Sequence, residues 1–136
     1  MVSSLHLPSR CPCGTGDAYA EHCGALHRGR TTGTPVAPTA ERLMRSRFSA
    51  FAVGDVPYLL ATWHPATRPA TLELEPGLTW RRLEILGTTA GGSADDRGTV
   101  EFVAHFRDRS GTEGSQREHS AFVRVDGRWH YVAAVG

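Results

Sequence analysis

A chain of 136 residues, 40% apolar and 21% charged, has room for one compact domain and a small appendage, and its composition is that of an ordinary globular protein. A formal net charge of +1 argues against a general affinity for nucleic acid or acidic lipid. No run approaches the roughly 20 apolar residues of a membrane span, and residues 1–10 lack an apolar run of signal-peptide length, so a cytoplasmic location is expected. All fifteen basic residues are arginine, which a GC-rich genome explains more simply than anion recognition does.

The first stretch with a chemical signature is Cys-Pro-Cys-Gly-Thr-Gly-Asp-Ala-Tyr-Ala-Glu-His-Cys, residues 11–23, which holds every cysteine of the chain. Cys11, Cys13, His22 and Cys23 offer three thiolates and an imidazole, the donor set of a closed tetrahedral Zn²⁺ site. Pro12 stiffens the link between the first two thiols, and Gly14 and Gly16 let the backbone curl around them. Asp17 is placed to cap a short helix that Gly24 would end. Adjacent helical residues diverge by about 100°, so His22 and Cys23 need the helix to fray between them, and His27 is an alternative to His22. Three thiolates, a neutral imidazole and Zn²⁺ sum to about −1, a charge that Arg10 and Arg28 flank. A Cys11–Cys13 disulfide would be strained and would leave one thiol over; redox-active cysteines are the remaining alternative. Clustered reduced thiols also fit a reducing compartment.

Cys-x-Cys-Gly-Thr-Gly, Tyr19 and the pair His22-Cys23 resemble the SEC-C motif, the small zinc module at the carboxyl end of the translocase ATPase SecA. The usual order there places a cysteine before the final cysteine or histidine, whereas His22 comes first here. Such a motif at the amino terminus, followed by a single domain, resembles the YchJ-like family of uncharacterised bacterial proteins. The resemblance implies a knuckle over residues 1–30 that folds around zinc, and a protein partner that docks on it. A Cys13→Ser change is expected to disorder this knuckle while sparing the rest.

Residues 31–38, rich in Thr, Gly and Pro, read as a linker, and the main domain spans residues 39–136. Thr39 caps a helix whose Leu43, Met44, Phe48, Phe51 and Ala52 recur at helical spacing, and Gly54 stops it. Asp55 caps the next helix, with Pro57 in its first turn and a stop before Pro65. Residues 67–76 suit a short third helix or an extended segment. From Trp80 the apolar period becomes two: Leu83 and Ile85, then Val100, Phe102, Ala104 and Phe106 mark half-buried strands. Asp126-Gly127 predicts a two-residue hairpin pairing Val125 with Arg128, Arg124 with Trp129 and Phe122 with Tyr131. Helices followed by a four-stranded antiparallel meander make an α+β fold.

Leu-Met-Arg-Ser-Arg-Phe-Ser-Ala-Phe (43–51), Gly54-Asp55, Thr62-Trp63-His64-Pro65 and Gly127-Arg128-Trp129-His130-Tyr131 resemble the middle domain of the same family. This implies a nuclear-transport-factor-2-like fold, a curved antiparallel sheet and two or three helices enclosing a cone. Cones of that superfamily often host isomerases and hydratases, and many dimerise through the sheet. The hairpin register places Glu118, Ser120, Trp129 and Tyr131 on one sheet face, where they are candidate cavity-lining residues. Arg45 and Arg47 lie about 200° apart on their helix, so one of them can enter the cone and bind a carboxylate or phosphate. The plainer reading pairs a buried arginine with Glu118 as structure. His105 and His119 are candidates to face each other across neighbouring strands. No nucleotide-binding, nucleophile-elbow or RNA-binding motif is present, and no catalytic residue is singled out. The reading that follows is a non-catalytic zinc-binding protein, a binding or adaptor module that acts through its knuckle and its cone-shaped domain. The alternative is a small-molecule-binding protein or enzyme that uses the cone.

Overall fold

The computed structural model describes residues 7–135; residues 1–6 of the predicted knuckle and residue 136 of the predicted main domain lie outside the described residues. After a short hairpin, a single 3-10 turn (Tyr19–Glu21) leads into α1 (Cys23–Thr32), where the sequence suggested a helix ending at Gly24. Gly24 instead sits in the first turn of α1, and a Cβ there would fall 2.6 Å from the Tyr19 carbonyl oxygen. The glycine is required by that close approach and not by a helix stop. The 3-10 turn has Ala18 at its N-cap and takes no bond from the Asp17 side chain.

α1 crosses the expected boundary at residue 30 and takes up the first two linker residues before Gly33 closes it with φ 94°. The rest of the linker is tied down as well. A Cβ on Gly29 would lie 2.3 Å from the Pro35 carbonyl oxygen, so α1 packs its backbone directly on that loop.

α2 (Ala40–Val53) begins as the sequence dictates, with the Thr39 side chain accepting from the Arg42 amide at 3.1 Å. Gly54 ends it with φ 82°, and Asp55 caps α3 (Val56–Ala61) by accepting from the Tyr58 amide. Each cap is worth about 1 kcal/mol. Residues 67–76 form no helix; the third helix of the molecule is α1, at the other end of the chain.

β1 (Thr79–Ala90), β2 (Arg97–Arg107), β3 (Glu113–Val125) and β4 (Arg128–Ala134) form one antiparallel sheet in the order β1-β2-β3-β4. The β3–β4 register matches the expected pairs from Val125↔Arg128 to Phe122↔Tyr131, after which a bulge shifts it. Further bulges fall between Trp80 and Arg82 and between Ile85 and Gly87, so Trp80 and Leu83 share the core face although three residues separate them. Bulges of this kind bend a sheet.

The main core draws on the helices, the sheet and the linker region, while Cys11, Cys13, Tyr19 and Cys23 form a separate buried cluster against Val53. Leu26 of α1 and Ala37 of the linker region pack with Leu43, Phe48, Leu59, Val100, Phe122 and Trp129. The α+β class and the helix-on-sheet layering expected from the sequence are observed. Among the described residues, no helix is long and apolar enough to cross a membrane.

Candidate metal centre and cavity

Two backbone bonds, Cys11 N–H to the Asp17 carbonyl (2.8 Å) and Tyr19 N–H to the Ser9 carbonyl (3.0 Å), fold residues 9–19 into the hairpin. A tight turn, Gly14 N–H to the Cys11 carbonyl at 3.2 Å, points Cys11 and Cys13 to the same side. The helical path then breaks at His22 (φ −115°, ψ −106°), between the 3-10 turn and α1, so His22 and Cys23 converge instead of diverging. The fraying that the adjacent pair demanded is present.

Ligand atoms of Cys11, Cys13, His22 and Cys23 all lie within 4.8 Å of one another, so the four can hold a metal ion. His22 Nδ1 stands 3.5 Å from the Cys11 and Cys13 sulfurs and 3.6 Å from that of Cys23. Its other nitrogen lies 3.5 Å from Asp17 Oδ2, the usual way a carboxylate orients a ligating ring.

His27 is occupied elsewhere. Its Nε2 donates to the Ser46 carbonyl (2.8 Å), and its Nδ1 takes the Tyr19 hydroxyl (2.7 Å). Burial holds its pKa below the ordinary histidine value. Of the two histidines, His22 is the one that stands with the three thiols.

The charges around the cluster come from an unexpected quarter. Arg10 and Arg28, expected to balance the thiolates, donate to the Gly16 and Ala20 carbonyls. Arg42 of α2 reaches the Cys23 sulfur instead (Nη1, 3.2 Å), and Ser49 Oγ lies 3.4 Å from the Cys11 sulfur. Hydrogen bonds from Cys13, then Cys23, hold the Cys11 thiol well below the ordinary thiol range. Cys11 and Cys13, together with burial, push Cys23 well above it. A cluster in which one thiolate suppresses the next is one that a divalent cation relieves, since the cation stabilises every thiolate at once.

Sequence reasoning missed Arg42 and Ser49, although Arg42, Arg45, Ser46 and Ser49 recur at three- and four-residue spacing as a polar stripe on an otherwise apolar helix. Replacing Arg42 with Gln is expected to weaken metal retention about tenfold, as loss of such outer partners does. Competition against a chromogenic chelator measures this, and an unchanged affinity would show that Arg42 is a bystander.

On its opposite face α2 overlooks a cavity of about 410 Å³. Its walls are Phe48, Phe51, Trp80, Phe102 and Phe106 with several leucines, and Arg47, Trp63, Glu118, Ser120 and Tyr131 also line it. Arg47 is 3% exposed, and its Nη1 donates to the Leu59 carbonyl (2.8 Å) and to Thr62 Oγ1 (2.7 Å). The guanidinium lies over the Tyr131 and Trp63 rings, at 4.7 and 5.2 Å from their centroids. Burial lowers its pKa to about 10, which leaves it charged at neutral pH.

Glu118 accepts from the hydroxyls of Ser120 (2.8 Å) and Tyr131 (3.4 Å). The expected pairing of a buried arginine with Glu118 is not made: among the described residues Arg47 has no ion-pair partner.

Of the six residues expected to line the cone, Arg47, Glu118, Ser120 and Tyr131 do so. Arg45 does not. It projects from the other face of α2, donating to the Cys13 carbonyl (3.0 Å) and pairing with Glu41 (3.1 Å). Trp129 does not either, because its indole N–H is drawn to the Pro38 carbonyl (3.2 Å) and its ring borders a separate small cavity of about 80 Å³. Nor do His105 and His119 face each other. The β2–β3 register sets His119 opposite Glu101, and His105 bonds Glu84 on β1 at 2.6 Å.

Comparison with known proteins agrees with this architecture. The family described as "YchJ, middle NTF2-like domain" matches residues 39–134. A UPF0225 protein of Streptomyces coelicolor is 52% identical over 121 residues, covering 89% of this chain and 90% of its own. One from Corynebacterium glutamicum is also 52% identical, covering 92% and 95%. The solution structure of a SEC-C motif containing protein from Rhodopseudomonas palustris superposes with a TM-score of 0.77 at 33% identity, covering 93% of this chain and 98% of that one. A crystal structure of a SEC-C motif containing protein from Psychrobacter arcticus gives 0.76 at 26% identity, covering 97% and 86%.

Proposed function

The chain belongs to the YchJ-like UPF0225 family, and from that premise we propose that it is a zinc-stabilised protein whose cone binds a small amphipathic molecule. The observation that carries this reading is the cavity. Its volume of about 410 Å³ falls within the usual range for ligand sites, and aromatic walls with a few convergent polar groups are their usual lining.

Zinc is supported by the dimensions of the cluster. Zn–S bonds of about 2.3 Å and Zn–N bonds of about 2.0–2.1 Å at a tetrahedral angle require N···S edges of about 3.6 Å. The observed edges are 3.5, 3.5 and 3.6 Å. Four protein ligands complete the tetrahedron, so the ion's role is structural. Three free thiols support a reducing compartment, the cytoplasm.

The adaptor role suggested by the knuckle is the weaker reading. Cys13 and Cys23 are fully buried, and Arg42 and Arg45 of α2 clasp the knuckle. A segment so engaged supports its own domain more readily than it presents a docking surface.

Native mass spectrometry of the reduced protein is expected to show one zinc. Melting the protein against a panel of small amphipathic compounds is expected to reveal a class that raises Tm. Protein free of metal would overturn the zinc assignment, and a panel without a single stabilising compound would overturn the cavity reading.

A further inference from the structure

The polar end of the cavity is unbalanced in a way that specifies what it takes. Arg47 is a buried cation, and both of its hydrogen bonds leave from one nitrogen, Nη1. A buried charge without a counter-charge is costly, and stacking on two rings offsets only part of that cost. Beside it, the Trp63 indole N–H is buried and has no acceptor among the described residues, although native structures rarely leave such a donor unsatisfied. Trp63 and Arg47 both line the cavity, and the guanidinium rests against the Trp63 ring. Arg47, which lines the cavity, therefore keeps donors that have no acceptor among the described residues, whereas the Trp63 nitrogen is closed off from the cavity.

Glu118, which also lines the cavity, is committed. Glu118 is held by the Ser120 and Tyr131 hydroxyls and forms no ion pair with Arg47. Glu73 and Glu75 are exposed residues that also line the cavity, so negative charges stand at its rim. With three carboxylates in the lining the net charge is negative, so an anion bound here must be held by direct hydrogen bonds to Arg47, and a dianion such as a phosphate monoester is disfavoured more strongly than a monoanion. The remaining walls are Phe48, Phe51, Trp80, Phe102 and Phe106, which suit an aromatic or aliphatic body.

We propose that the cavity binds a monocarboxylate with an apolar body, its carboxylate accepting from Arg47 and its body lying among the phenylalanines and Trp80. This inference rests on the cavity reading above and names its ligand class. A bond from a charged donor in a desolvated site separates an acid from its neutral analogue by about tenfold or more.

The test is calorimetric titration of the zinc-loaded full chain with 4-phenylbutyrate, 4-phenylbutan-1-ol and 4-phenylbutylamine. The acid is expected to bind at least about tenfold tighter than the alcohol, and Arg47→Met to abolish that preference while the alcohol still binds. Since Arg47→Met can impair folding, Glu118→Gln provides a second reading: removing the neighbouring negative charge should tighten the acid severalfold. Equal binding of acid and alcohol, preference for the amine, or weakening of the acid by Glu118→Gln would overturn the carboxylate assignment and leave the cavity reading standing. Failure of all three compounds to bind would overturn both.

Discussion

Cys13→Ser is expected to release the metal and to lower the melting temperature of the whole protein by more than about 10 °C. Loss of a structural metal ligand belongs to the small class of changes that cost about 4 kcal/mol or more, and at this chain length each kcal/mol moves Tm by about 3–5 °C. A knuckle joined by a free linker would have unfolded alone. The structure predicts otherwise, because the segment is sewn into the domain. Leu26 and Ala37 belong to the main core, His27 donates to the Ser46 carbonyl in the middle of α2, and Tyr19 is buried against His27. Once the metal is gone, those contacts lose the frame that presents them. Calorimetry of the wild type with and without chelator, alongside Cys13→Ser, measures this directly. An unchanged main transition in metal-free protein would show that the knuckle is an independent unit after all.

Arg47→Ala is expected to cost about 3–4 kcal/mol. The change leaves the Leu59 carbonyl and the Thr62 hydroxyl without their donor and opens a gap between the Trp63 and Tyr131 rings. Arg47→Met should cost appreciably less, about 1–2 kcal/mol, because a side chain of similar length keeps the rings apart and removes a buried charge that has no ionic partner. Denaturant titration of both variants reads the difference. If Met proved as damaging as Ala, the hydrogen bonds, and not the filled volume, would be the dominant contribution of Arg47.

How far the fold was legible in the sequence depended on whether local chemistry set each feature. Thr39 and Asp55 act as caps because short polar side chains reach their own helix amides. Asp126-Gly127 fixed the β3–β4 register because a two-residue turn admits one pairing. That logic failed beyond Phe122, where a bulge shifts the register and no sequence mark announces it. It also failed at His105 and His119, because their register is set by the Asp108–Thr112 turn, a longer and less diagnostic connection. α1 was missed for a different reason. Two glycines in ten residues make a poor helix former, and its stability comes from Leu26 and His27 packing on the rest of the molecule.

At the cysteine cluster the three thiols were readable from spacing while His22 and His27 stayed open, and the charge partner was not readable at all. Arg42 lies 19 residues after the sulfur it touches, and only the fold brings them together. The cavity was expected only through the family resemblance, since empty space is a property of how surfaces fail to meet and residue spacing does not show it. Three of its polar residues, Glu118, Ser120 and Tyr131, followed from strand alternation, and Arg47 was one of two candidates on α2. Trp129, on the correct sheet face, was diverted by a single hydrogen bond to Pro38.

α2 turns Arg42, Arg45 and Ser49 towards the metal ligands and Arg47, Phe48 and Phe51 towards the cavity. If α2 has two settings and an occupant on one side prefers one of them, thermodynamic reciprocity requires it to alter the affinity for the occupant on the other side by the same factor. Protein stripped by a chelator is therefore expected to be a poor receptor for any cavity ligand, and a saturating ligand should slow the loss of the ion.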